Sequence, residues 1–386
     1  MRVLLLGGSG RFGPVVARYL VRSEVVSEIG LAGRNENTLK PRAIEVGDKA
    51  HTVQVDIRDE SRLSSVAAKY DIVVSTAGPE WNVLLPALRA SIEAGVHYCD
   101  IGADMRTTEK QLELDSAAKE REVTAVVGIG LDPGIDNLLA VHAGRQFDRV
   151  EAIQIQVHLA LPDEMLGEAV DLLHKSGRLD ASWLIAIRNI SGPIRVFRDG
   201  SFLDVNPLVN SVDITTPEGV TMPGHPIAFP EVITIPRYLP GVREVSGALA
   251  ITPSSFSELL YNHTQRVSRG ELTVEDATRS FLGTIGEDRE RWLKEVASGW
   301  NSWLVVTGWK DGKKGRYTCL PARIGFTSVP LAVAALRILR GEVSAFGVMP
   351  PEACFEPMPF FEEVAQYAGP EDREKPLFIE SMKWLP

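Results

Sequence analysis

Three cysteines in 386 residues, at positions 99, 319 and 354, are too few and too far apart for a disulfide framework, and none stands in a Cys-x-x-Cys pair. A reducing, cytoplasmic compartment is the expectation that follows. The seven histidines are scattered without His-Glu-x-x-His or comparable ligand spacing, so no metal is expected. No apolar run approaches the ~18 residues of a membrane span, and the best, residues 329–339, is interrupted by Arg337. The run at residues 1–6 is too short for the apolar core of a signal peptide and leads straight into glycines. Basic side chains are outnumbered, 41 against 51, and a formal charge of −10 argues against nonspecific affinity for nucleic acid or an anionic membrane. What remains is the composition of a globular enzyme, 44% apolar and 24% charged. At about 150 residues a domain, the length predicts two or three domains.

The first third alternates in period. Residues 2–6 read as a continuous apolar strand, and Val15, Val16, Tyr19 and Leu20 then fall at helical spacing. Further strands are expected near 27–32, 52–55, 72–74, 96–99 and 124–127. Helices are expected over 61–69, along the face Trp81, Leu84, Leu85, Leu88 and Ile92, and from the capping-box pattern Thr108-Glu109-Lys110-Gln111. Strands and helices in this order imply parallel pairing, hence an α/β class with a doubly wound sheet. After about residue 150 the period becomes two. Ile153, Ile155, Val157 and Leu159 alternate with Gln154, Gln156 and His158, as in an antiparallel sheet with one wet face. A hairpin is expected around Asp311-Gly312-Lys313-Lys314-Gly315. The domains predicted are 1–128 on the parallel sheet, 129–325 as an α+β domain, and 326–386 as a C-terminal segment packing back on the first.

Between the first strand and its helix stands Gly8-Ser9-Gly10-Arg11-Phe12-Gly13. In G-x-G-x-x-G the first glycine permits a tight turn, the second lets a pyrophosphate approach the backbone, and the third lets helix and strand pack closely. The helix N-terminus offers amides and a positive dipole end to phosphates. A match in this strand–turn–helix context points to a dinucleotide-binding Rossmann domain. At the end of the second strand Arg34 offers a guanidinium fork to a 2′-phosphate, favouring NADP, while nearby Glu36 keeps NAD open. Asp56, in Val55-Asp56-Ile57, either accepts from an adenine amino group or caps the next helix. Ser75-Thr76-Ala77-Gly78 follows the fourth strand, where small residues let ribose and nicotinamide lie against the backbone.

Ligands in open α/β sheets bind outside the carboxyl ends of the strands. The loops after the fifth and sixth strands place Asp100, Asp132 and Asp136 there. Asp100 and Asp132 are the candidate catalytic acids, and Asp136 is a substrate ligand or a helix cap. Gly130-Leu131-Asp132-Pro133-Gly134-Ile135-Asp136, the Arg11-Phe12-Gly13 turn, and Gly347-Val348-Met349-Pro350-Pro351-Glu352 together resemble the saccharopine dehydrogenase (saccharopine reductase) superfamily over residues 1–160 and 325–355. That resemblance implies a Rossmann domain for NADP or NAD, a second domain for substrate and dimerisation, a homodimer, and reduction of an imine of an amino acid or the reverse. Some members reduce C=C bonds, and a C=O substrate also remains an alternative. The chain departs from the family's Pro-Tyr-x-x-His at Gly78-Pro79-Glu80-Trp81-Asn82, and from a common histidine at Asn137, which argues against saccharopine itself as substrate.

A substrate with several carboxylates needs cations. Lys175, Ser176 and Arg195 are candidates in the second domain, with Trp81 as a wall beside nicotinamide. Two other readings compete. A short-chain dehydrogenase needs Tyr-x-x-x-Lys, and none of the seven tyrosines has lysine four positions on. A noncatalytic NADP-binding sensor would bind coenzyme tightly without turnover.

Overall fold

The structure, a computed structural model, describes residues 1–207, 211–297 and 299–386, and only the backbone of residue 371. Contacts divide the chain into two units, Met1–His142 with Pro321–Ile379, and Ala143–Leu320 with Glu380–Pro386.

The first unit is built on strands β1 (Arg2–Leu6), β2 (Glu28–Gly33), β3 (Ala50–Gln54), β4 (Ile72–Ser75), β5 (His97–Asp100) and β6 (Thr124–Val126). Its helices are α1 (Gly13–Leu20), α2 (Glu36–Val46), α3 (Glu60–Ala67), α4 (Glu80–Ala94), α5 (Met105–Leu112), α6 (Asp115–Glu120) and α7 (Ile135–Gly144). Apart from Arg2 at the head of β1 and Ser75 at the end of β4, these two strands are apolar, and all but Arg2 is buried, as strands covered on both faces must be. A strand from the far end of the sequence, Gly347–Met349, pairs in parallel with β6, so the sheet has seven strands rather than six. Its order runs from that strand through β6, β5, β4, β1 and β2 to β3. The order reverses between β1 and β4, which puts the glycine turn after β1 beside the loop after β4.

Two local expectations change. α2 was not foreseen because Pro41 lies inside it, although the Asn35 side chain caps it by accepting from the Asn37 amide. α5 begins three residues before Thr108. The Asp104 carboxylate accepts from the Thr107 amide at 2.7 Å and the Thr107 hydroxyl at 2.6 Å, and aspartate is the stronger cap.

The second unit contains β7 (Arg149–Ala160), β8 (Ile194–Arg198), β9 (Ser201–Val205), β10 (Val212–Thr215), β11 (Thr221–Pro226), β12 (Glu244–Thr252), β13 (Gly299–Lys310) and β14 (Lys313–Pro321). With them go α8 (Glu164–Ser176), α9 (Ala181–Asn189), α10 (Glu231–Tyr238), α11 (Ser254–Ser268) and α12 (Val274–Glu287). The hairpin forms as expected, with Val305 opposite Thr318. The sheet is mixed rather than antiparallel: β7 runs antiparallel to β13 but parallel to β12, because the long connection between β7 and β12 includes crossover helices. Ile153, Ile155 and Val157 are fully buried on one face. The other face is not simply wet. Trp303 lies opposite Gln156, its indole N–H donates to Gln156 Oε1 at 3.0 Å, and it packs with Ile214, Ala250 and Val305.

The boundary expected at residue 128 falls at 142, because the loop beyond β6 is bonded back into the first unit, with the Gly128 amide donating to Asp100 Oδ1. The segment expected to return to the first domain also divides. Pro321–Ile379 is grouped with the first unit, while the last strand, Phe378–Trp384, extends the second sheet next to β14.

Candidate functional site

The glycine turn is shaped by contacts that no side chain could share. Gly7 carries the positive φ of +80°, and a Cβ there would lie 2.8 Å from Thr76 Oγ1. The tight-turn role expected of Gly8 therefore belongs to Gly7, while Gly8 is needed because β2 is close, with Leu31 Cβ 2.9 Å from where its own would stand. Gly13 packs α1 onto the turn: a Cβ there would sit 2.4 Å from the Gly7 carbonyl oxygen. A Cβ at Gly10 would meet only that carbonyl, at 3.2 Å. Ser9, Arg11 and Phe12 complete the turn, and no side chain caps the N-terminus of α1. These residues fit a pyrophosphate held on backbone amides.

At the adenosine end, Arg34 is exposed beyond β2. Asp56 does not cap α3, since Asp59 accepts from the Arg62 amide at the head of that helix. Asp56 instead accepts two hydrogen bonds from the Arg58 guanidinium, at 3.0 and 2.6 Å, and is pulled down to about 2, chiefly by Arg58, with the Arg34 charge contributing. Two cations thus act on one carboxylate beyond the ends of β2 and β3. Ile57 is buried. On the β4 side, Thr76 is tied to β1 through its amide and hydroxyl, both donating to the Leu6 carbonyl. Ala77 is partly exposed and Gly78 exposed, but Ser75 is fully buried and cannot touch a ligand.

The candidate acids separate sharply. Asp100 is 0% exposed. Its Oδ1 accepts from the Gly102 amide at 2.8 Å and the Gly128 amide at 3.0 Å, and its Oδ2 from Gln111 Nε2 at 2.7 Å. Burial pushes its pKa up while these donors pull it back. Asp100 is therefore a clamp joining three segments, not the expected proton donor, because none of its surface reaches solvent. Asp136 is likewise 0% exposed, inside the first turn of α7. Asp132 is partly exposed at the start of its loop's turn.

That loop largely bonds to itself. The Gly130 amide donates to the Pro133 carbonyl at 2.7 Å, and a Cβ on Gly134 would lie 2.2 Å from the Gly130 carbonyl oxygen. Asn137 accepts from the Gly134 amide at 2.8 Å and donates to Glu352 at 2.9 Å. The two distant motifs, Asp-Pro-Gly-Ile-Asp and Pro-Pro-Glu, are thus parts of one hydrogen-bonded assembly.

Glu80 was passed over as a site residue. It opens α4, directly after the β4 loop, and its Oε2 accepts from the amides of Ala103 and Asp104, both at 2.7 Å. Burial, followed by the nearby Asp104 and Asp100 charges, pushes its pKa up to about 8 against the pull of the two amides. An acid in the first turn after a strand's carboxyl end was the available signal. Trp81 follows it, partly exposed.

In the second unit Lys175 is exposed and paired with Asp171 at 3.2 Å, and the Ser176 hydroxyl closes the last turn of α8 on the Leu172 carbonyl. Arg195 pairs with Asp204 across the β8–β9 hairpin at 3.2 Å. Each has a local partner on its own element or hairpin, and the structure does not gather them into a carboxylate-binding patch.

Residues 3–126 match the family described as the saccharopine dehydrogenase NADP-binding domain. Carboxyaminopropylagmatine dehydrogenase of Synechocystis is 22% identical over 404 residues, covering 96% of this chain and 97% of that protein. Trans-acting enoyl reductases of Mycobacterium bovis and Mycobacterium tuberculosis are 26% identical over 134 residues, 34% of this chain and 32% of theirs. The apo saccharopine dehydrogenase (L-Glu forming) of Saccharomyces cerevisiae shares the fold, with a TM-score of 0.66 at 17% identity over 99% of both chains. Residues 3–126 are thus similar to the NADP-binding domain of saccharopine dehydrogenases, and the whole chain has the fold of one. It is an NAD(P)-binding oxidoreductase.

Proposed function

We propose that this protein transfers hydride between NADP(H) and a C=N carbon, reducing an imine formed from an amino-acid-derived amine and a carbonyl compound, or running the reverse. The observation that carries the reading is the near full-length match to carboxyaminopropylagmatine dehydrogenase, which extends past the nucleotide-binding unit into the second. The enoyl reductases favour C=C reduction less, because their match covers only 34% of the chain.

The bound coenzyme would supply the hydride. The chain's own residues do the rest. Gly7, Gly8 and Gly13 hold the turn that presents amides to the pyrophosphate. Arg34, with Arg58 beside it, meets a 2′-phosphate. Thr76, Ala77 and Gly78 form the floor at the switch in strand order, and much of the rate comes from holding the reacting carbons in contact there. Asp100 and the Asn137–Glu352 pair keep the surrounding loops rigid.

The test is NADPH oxidation by purified protein with a panel of amine or amino acid plus keto acid or aldehyde pairs. Turnover with C=N pairs supports the reading, and turnover confined to C=C or C=O compounds replaces it with its alternative. Tight NADPH binding without turnover on any compound would make the protein a sensor. A homodimer is the assembly the family resemblance implies, and sedimentation equilibrium reads it directly.

A further inference from the structure

We infer that Glu80 is the proton donor of this reduction, its Oε2 held by two backbone amides while its Oε1 delivers the proton to the substrate nitrogen. This rests on the imine-reducing reading above. Both hydrogen bonds that the carboxyl accepts from the described residues fall on Oε2, from the amides of Ala103 and Asp104. The residue keeps part of its surface exposed, whereas Asp100 keeps none. It heads α4 at the carboxyl edge of the sheet, immediately beyond the loop expected to floor the nicotinamide. The three requirements of a general acid meet here: a fixed carboxyl, a free oxygen, and a proton retained at neutral pH.

The proton is retained because Glu80 is largely buried and two carboxylates stand near it on the elements against which α4 packs. Asp104 faces it from the head of α5 and Asp100 from the end of β5, both raising its affinity for the proton. β4 carries no titratable side chain. The charged contact from α3 is Glu60 with Arg89, near the other end of α4.

In the step itself, the bound coenzyme would supply hydride to the C=N carbon. The Glu80 O–H bond breaks as the N–H bond forms. Its electron pair stays on the carboxylate, which the two amides stabilise, and a solvent proton restores the acid.

The experiment compares wild type with Glu80→Gln. Glutamine can accept the same two amide bonds through its carbonyl. The expected loss in kcat is about 10²- to 10⁴-fold, with NADPH affinity by calorimetry unchanged within about threefold. Carbon-13 NMR of glutamate-labelled, coenzyme-free wild type should show one carboxyl titrating with a midpoint of about 8, absent from the variant. An ordinary carboxylate midpoint for Glu80 overturns the proposal, as does a variant with wild-type kcat. Should the variant fail to fold, the wild-type titration decides. Failure of wild type on every imine pair, with NADPH still bound, marks instead the failure of the functional reading and removes the donor role with it.

Discussion

Asp100 offers the most direct test of the site's construction. Replacing it with alanine leaves three buried donors, the Gly102 and Gly128 amides and Gln111 Nε2, without an acceptor. Each unsatisfied buried group costs about 1–3 kcal/mol. Relaxation of the glycine loops and relief from burying a carboxylate offset part of this, so the expected loss is about 3–5 kcal/mol. Asparagine should behave differently. Its carbonyl can keep both amide bonds. Its Nδ2 can be met by rotating the Gln111 amide, whose Oε1 is buried without a partner among the described residues. The expected cost is below about 1 kcal/mol. Urea unfolding at neutral pH reads both, with a shift in midpoint and little change in slope. Because Asp100 is 0% exposed, the asparagine variant should also keep kcat within a few-fold. Equal destabilisation by the two substitutions would refute the clamp. A stable asparagine variant without activity would return Asp100 to the chemistry.

Three further outcomes are expected. Gly13→Ala places a methyl group 2.4 Å from a backbone oxygen that cannot retreat without moving the turn, so coenzyme affinity should fall sharply and stability by about 1–3 kcal/mol in a thermal melt. Arg34→Ala should weaken NADPH binding by roughly 10- to 100-fold in calorimetry, the worth of a charge-assisted hydrogen bond, with NADH hardly affected; equal losses would remove the 2′-phosphate assignment. Glu80, raised from 4.5 to about 8, lets the folded chain hold a proton that the unfolded chain releases. Wild-type stability should therefore fall relative to Glu80→Gln as pH rises between those values, and parallel urea midpoints across the range would contradict the shift.

The nucleotide-binding half was largely legible. Apolar runs separated by amphipathic helices specify a parallel α/β sheet, and a glycine turn in that setting has few other uses. Pro41 concealed α2, since a proline inside a helix reads as a break until its neighbours are seen to tolerate it. The adenosine end was half legible: Arg34 stood out at the end of β2, but Arg58 did not, because its bond to Asp56 depends on the conformation after β3. In the second unit, charge and polarity are all that the sequence shows of Lys175, Ser176 and Arg195, and their partners Asp171, Leu172 and Asp204 account for them locally.

Residue order by itself determined the class of fold and the coenzyme turn, because hydrophobic periodicity and glycine conformational freedom act over a few neighbours. Tertiary structure alone decided which acid serves which role. Asp100 ends β5 and Glu80 follows β4 at the same sheet edge, and nothing in their local sequence ranks them. Closure of the loops seals Asp100 among three donors, one from its own loop, one from α5 and one from the loop after β6. The same closure leaves Glu80 partly open, with its carboxyl held by amides from beyond β5. Burial and proton affinity are set by groups that meet only when the chain has folded.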